Sequence, residues 1–268
     1  MAGNLREIWN RRELVAALVV RDLKIRYRNS ILGFMWSLLT PLLLMLVLWL
    51  VFKRVVRFTS EPNYTVKLLC GLVPWLFFQQ SLLDACPSVL KFRQVVKKVY
   101  FPREVLPISV VLANLVHLLL SVVVLFGLLV VVGTPFHLTF LFLPVLILVE
   151  WILVQGMAFL LASLHTFYQD VQYIVAALLM MMFYLSPIIY KVYEHGRVPA
   201  RAGVPAEYEP YYMLNPLAVI TEGFRQVLLR NELPNPHFLA IAFLIGVFCM
   251  VLGYKTFRAC QWRFPEVL

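Results

Sequence analysis

"RDLKIRYRNSILGFMWSLLTPLLLMLVLWLVF", residues 21–52, opens with Arg21, Asp22, Lys24, Arg26 and Arg28 and then carries no charge from Ile31 to Phe52. Those 22 uncharged residues make a helix of about 33 Å, long enough to cross about 30 Å of hydrocarbon. Pro41, midway, is expected to kink it. The stretch therefore reads as a first membrane span with a dense basic cluster pressed against its mouth.

The rest of the 268 residues extends this pattern. The chain is 62% hydrophobic and 14% charged, with mean hydropathy +0.82, whereas soluble domains are about a quarter charged. A transmembrane β-barrel would show alternating segments of about ten residues, and none is present. Further apolar runs cover about Leu68–Leu90, Val105–Val132, Leu138–Leu164, Val171–Tyr190 and Phe238–Tyr254, with "GTPFH" turning the third back into the fourth. The expected fold is an all-α integral membrane protein of six spans. It is read as one transmembrane domain over 1–268, divided into an interfacial helix and basic cluster (1–30), spans one to five (31–190), an outer loop (191–236) and span six with a tail (237–268).

Before the first span, Asn4 and Glu7 stand at capping-box spacing. Leu5, Ile8, Trp9, Val15, Val19 and Leu23 form an apolar stripe among charged residues. With no apolar piece long enough to span, this is an amphipathic helix lying in the interface. No secretory h-region and cleavage site occur in the first 30 residues, so the N-terminus is expected to be retained. Cys70, Cys86, Cys249 and Cys260 suggest neither a disulfide framework nor a metal cluster. Fifteen of the 24 Lys and Arg residues fall on the side of the N-terminus, the second-to-third loop and the tail. By the positive-inside rule both termini are cytoplasmic.

Two connections carry structure of their own. In "SVLKFRQVVKKVYFP" (residues 88–102), Phe92, Val95, Val96 and Val99 share a helical face with lysines opposite. In the outer segment, "NPLAVITEGFRQVLLR" (residues 215–230) begins with Asn215 as N-cap and Pro216 at the first helical position. It is too short to cross and suits a re-entrant or surface helix. Leu217, Ile220, Phe224 and Val227 line one face, and Glu222, Arg225 and Gln226 line the other.

These motifs, together with "LLCGLVPWLFFQQSL", "KKVYFPREVLP" and "FYLSPIIY", follow the order of one family. The chain closely resembles the permease subunit of ABC-type polysaccharide exporters, which move lipid-linked O-antigen or teichoic acid. The resemblance implies a homodimer in the bacterial inner membrane, working with two separate ATP-binding subunits that hold ATP and Mg. It implies that residues 89–100, with Phe92, Val95, Val96, Val99 and Tyr100, form the coupling helix that docks on the ATPase. It also implies that the helix from Asn215 and Pro216, with Glu222 and Arg225 on its polar side, is a gate. One departure is Gln169-Asp170-Val171, where the family pattern has arginine in place of Gln169.

Each site has a structural reading beside the functional one. Lys24, Arg26 and Arg28 serve as positive-inside anchors, or they receive the diphosphate of a polyprenyl-linked glycan. Phe34, Trp36, Tyr184 and Tyr190 are belt aromatics, or they line a path on which sugar faces stack. Glu150, inside the fourth span, is expected to hydrogen-bond His117 and hold the hairpin together. Alternatively it is the proton site of a secondary transporter. No glycine is followed by lysine, so the chain has no phosphate-binding loop and is not itself an ATPase. An ATP-driven exporter of polyprenyl-diphosphate-linked O-antigen is the leading expectation. Teichoic acid or capsular polysaccharide is the alternative cargo, and a membrane-embedded enzyme is a more distant rival.

Overall fold

The structure is a computed structural model that describes residues 11–28, 35–55, 64–98, 101–192, 203–204 and 208–267. The described chain is helical, apart from a two-residue parallel pairing of β1 (Lys191–Val192) with β2 (Gly203–Val204). Helix α1 covers Arg12–Tyr27, and α2 covers Met35–Trp49 with a π-helical continuation over Leu50–Val55. Helix α3 is Tyr64–Ala85, followed by short 3-10 turns and α4 (Arg93–Lys98). Then come α5 (Val105–Val132), α6 (Leu143–Phe167), α7 (Val171–Leu185), α8 (Glu209–Tyr212), α9 (Pro216–Arg225), α10 (Pro236–Cys260) and α11 (Phe264–Val267).

Four of the helical stretches described are long and apolar enough to cross a membrane: Tyr64–Ser88, Val105–Val132, Leu138–Phe167 and Pro236–Val267. They match the second, third, fourth and sixth expected spans. The apolar helices over Leu39–Phe52 and Val171–Leu185 are shorter; the 15 residues of α7 give about 22 Å. Residues 1–10, and with them the expected Asn4–Glu7 cap, lie outside the described residues.

Local chemistry explains the boundaries. Gly133 ends α5 at φ +76, and the Gly133 and Thr134 N–H groups bond back to Val130 and Leu129 carbonyls at 3.0 Å. That left-handed stop satisfies the last carbonyls and starts the hairpin turn. Asn215 and Asn235 use one device: each side-chain oxygen accepts from the N–H two residues on, at 3.1 and 3.0 Å, and each is followed by proline. Inside α2, Pro41 lacks an N–H. One residue earlier the Thr40 hydroxyl donates to the Trp36 carbonyl at 2.8 Å.

Helix α3 is the hub. It packs against α2, α5, α6, α7 and α9, and Leu68, Leu69, Leu72, Phe78 and Leu82 are fully buried on it. The closest helix pair is α6 with α10. A Cβ on Gly156 would lie 2.3 Å from the Met250 nitrogen, and one on Gly253 would lie 2.0 Å from the Gly156 carbonyl oxygen. Only glycine lets these two backbones touch, which gives apolar helices dispersion contact where lipid offers no hydrophobic drive.

Candidate functional site

Helix α1 is tied to the bundle by Arg26. Its guanidinium ion-pairs with Asp84 at the end of α3 and donates to the Asn114 side-chain oxygen on α5 at 2.9 Å. The Asn114 amide in turn donates to Asp84 at 3.1 Å. This three-helix knot borders a cavity of about 420 Å³, whose other walls include Trp36, Gln80, His117 and Ser121. Arg26 thus sits where an anion was expected, with its charge already matched by Asp84. Lys24 and Arg28 are exposed on either side.

The cavity also relocates His117. It stands one helical turn from Asn114 and from Ser121, on the face of α5 that meets α2 and α3. Glu150 is 0% exposed, and among the described residues neither carboxylate oxygen has a hydrogen-bond partner. The expected Glu150–His117 bond is therefore not formed. Equal depth on two helices does not bring side chains together when they point from different faces.

The coupling segment departs from expectation in a way that matters. Phe92 is 8% and Val96 3% exposed, packed with Val89, Leu106, Phe159, Phe257 and Phe264 in a collar formed by the ends of α5, α6, α10 and α11. Of the apolar face expected to dock on a partner, Phe92 and Val96 are packed in the protein's own core, while Val95 stays exposed. Arg21 of α1 covers the Phe92 ring, with its guanidinium carbon 4.0 Å from the ring centre. The free face is Lys91, Arg93, Gln94, Val95 and Lys97, with Val95 44% exposed. Val99 and Tyr100 lie outside the described residues.

At the opposite end, α9 is wedged among α3, α6 and α10 and is buried from Leu217 through Arg225. Its polar side faces inward. Arg225 donates to the carbonyls of Ile188 (2.6 Å), Tyr190 (3.2 Å) and Lys67 (3.3 Å), and to Glu222 Oε2 (3.2 Å). The other Glu222 oxygen meets Arg230 at 2.8 Å. One buried guanidinium thus holds the segment after α7 against α3 and α9. Gly71 makes room for it, since a Cβ there would lie 3.1 Å from Arg225 Nη2. Asn215 also reaches Ser186 at 3.3 Å. The polar face expected for this helix is a closed network, and no sequence periodicity distinguishes that from a solvated face.

Of the expected lining aromatics, Trp36 borders the cavity near Arg26, and Tyr184 is exposed on α7. Tyr190 is half-buried; its hydroxyl donates to the Tyr184 carbonyl at 2.9 Å, and its ring stands edge-on to Tyr212. Phe34 lies outside the described residues. Asp84, Asn114 and Gln80 belong to the site although sequence reading did not place them there. The one available signal was an acid, Asp84, interrupting an apolar run near its end.

Comparison with known proteins adds an independent line. The ABC-2 type transporter family model matches residues 13–229. An O-antigen export system permease protein RfbA of Klebsiella pneumoniae is 30% identical over 257 residues, covering 96% of this chain and 95% of that protein. The protein of the same name from Myxococcus xanthus is 31% identical over 263 residues, covering 98% of each. The polysialic acid transport protein KpsM of Escherichia coli is 25% identical over 251 residues, covering 90% and 92%.

Proposed function

The chain belongs to the ABC-2 type transporter membrane family, and from that premise we propose that it is the membrane-spanning subunit of an ATP-driven exporter of lipid-linked polysaccharide. The reading rests on one observation above the others: end-to-end similarity to O-antigen export permeases of two organisms. In it, α2 and α7 count as spans one and five, both termini face the cytoplasm of a bacterium, and the membrane is the inner one. Two copies enclose the path, and two separate ATP-binding subunits hold MgATP. The exposed apolar side chains of α2 and α7, such as Leu43, Leu46, Ile174 and Leu178, are the surfaces a second copy would cover.

The cargo is a glycan on a polyprenyl diphosphate. Its anionic group would meet Lys24, Arg26 and Arg28, each cation contributing about 1 kcal/mol at the headgroup level. Because Asp84 already holds Arg26, a diphosphate docks there by exchange with that carboxylate. The ATPase would dock on the basic face Lys91–Lys97, and its motion would pass through Phe92 and Arg21 to α1. At the far end α9 is the gate, and opening it requires the Arg225 network to move as a unit. A capsular or teichoic polymer would use the same groups, and the similarity to a polysialic acid transport protein keeps the first of these in view.

The test is genetic and chemical. Deleting the gene in its host should leave undecorated cells with lipid-linked glycan accumulated on the cytoplasmic leaflet, and this chain supplied with its ATP-binding subunit should restore export. Normal surface glycan in the deletion strain would refute the assignment.

A further inference from the structure

A second cavity, of about 890 Å³, lies between α1, α5, α6 and α10 on the α4 side of the bundle. Its walls run along α5 from Ile108 to Leu119, about 16 Å of helix. Val15, Ala16 and Val19 of α1 close one side. The lining is mostly apolar, with polar groups from Arg12, Tyr254, Gln155 and Trp151. Arg12, exposed on the first turn of α1, borders it. Gln155 and Trp151, one turn apart on α6, also line it, and among the described residues the Gln155 amide nitrogen and oxygen and the Trp151 indole nitrogen have no hydrogen-bond partner. Gln155 is only 1% exposed.

We propose that this groove is a binding site for a membrane phospholipid, with an acyl chain along α5 and an ester carbonyl hydrogen-bonded by Gln155 and Trp151. Polar side chains inside hydrocarbon require partners, since no bulk water reaches them. A Gln amide offers two donors and an indole offers one, and an ester carbonyl is the acceptor that every diacyl lipid carries at the top of its chains. A bare polyprenyl tail has no acceptor and would leave the Gln155 and Trp151 N–H groups unmatched. The groove is bordered by Arg12, which suits an anionic headgroup. Its length fits a chain from one leaflet. A lipid seated there would be shared by α1 and the spans, joining the interface helix to α6 and α10 where the Arg26 knot does not reach. The site is separate from the cavity at Arg26, and its existence does not depend on which polymer is exported.

The probe is phosphatidylglycerol carrying a photoreactive diazirine on its acyl chain, reconstituted with the full chain and its ATP-binding subunit in nanodiscs. On irradiation, peptides holding residues 108–119 and 151–159 should be labelled well above residues 123–132, whose Val123, Val130 and Val131 are exposed at the other end of α5. Ala16→Trp, which fills the groove from α1, should abolish that excess. In detergent, native mass spectrometry should show Gln155→Leu retaining phosphatidylglycerol about fivefold less than wild type, the ratio expected for one net hydrogen bond. Ala16→Trp supplies the same readout if Gln155→Leu assembles poorly. Labelling no greater than that of 123–132, or an excess untouched by Ala16→Trp, overturns the proposal. So does labelling of these peptides by a photoreactive polyprenyl phosphate but not by the phospholipid, or by crosslinks to a second copy in its place.

Discussion

Arg21 lies over the face of Phe92, with its guanidinium carbon 4.0 Å from the ring centre. A cation on α1 and an aromatic ring just before α4 thus share one contact. The cation–π attraction contributes about 0.5–2 kcal/mol, depending on desolvation. The contact matters more for what it implies about direction: Phe92 points into the protein, and the surface left for a partner is basic.

The first prediction follows from that reversal. Lys91→Glu with Lys97→Glu should leave the permease folded and in the membrane but prevent co-purification of the ATP-binding subunit. Phe92→Asp should instead lower the amount of folded protein, because an unpaired charge in a collar of Val89, Phe159 and Phe257 costs several kcal/mol. Thermal unfolding by intrinsic fluorescence and pull-down of the partner separate the two outcomes.

The Arg225 network makes a second prediction. Removing one member of a buried charge pair costs about 3–5 kcal/mol, and Arg225→Ala would also strand the carbonyls of Ile188 and Tyr190. It should destabilise the protein more than Glu222→Gln, which keeps an acceptor oxygen for one of the two arginines and turns an NH2 toward the other. If α9 is the gate, Glu222→Gln should raise the passage of small solutes through the idle transporter, measured as dye leak from proteoliposomes. An intact seal in Glu222→Gln, with unchanged export, would place the gate elsewhere.

Close packing of α6 and α10 supplies a third. A Cβ on Gly253 meets the Gly156 carbonyl at 2.0 Å, so Gly253→Ala must push two backbones apart. Overpacking of this kind costs about 1–3 kcal/mol, and its melting temperature should fall. Gly127→Ala, where a Cβ meets nothing within 4 Å, serves as the control and should melt like wild type.

Glu150 decides between two modes of energy supply. Buried on α6 with no hydrogen-bond partner among the described residues, it is the residue a proton-coupled transporter would use. ATP-driven export predicts that Glu150→Gln, which keeps shape and removes titration, exports at near wild-type rate across pH 6 to 8. Loss of export together with loss of its pH dependence would favour proton coupling.

Much of the architecture was legible in the apolar runs. Val105–Val132 was bounded correctly because Gly133 and the turn after it are local signals, and the Asn215–Pro216 helix start was read from the capping pair alone. What sequence could not carry was the identity of each element's neighbours. The helix around Phe92 is amphipathic whether its apolar side meets a partner or its own collar, and periodicity is the same in both cases. Glu222 and Arg225 share a face at helical spacing, yet that face is closed by carbonyls 35 and 37 residues away in sequence. Arg26 finds Asp84 at a separation of 58 residues, a meeting that depends on how α1 lies across α3 and α5. Gly246 and Gly253, seven apart on an apolar helix, were a readable sign of close helix contact.

The central claim is tested most directly by following lipid-linked glycan into inverted membrane vesicles that contain this chain and its ATP-binding subunit. The glycan should become protected from added glycosidase only when hydrolysable ATP and both subunits are present, and dissipating the proton gradient should leave protection unchanged. Protection that survives without ATP and vanishes with an uncoupler would contradict the account.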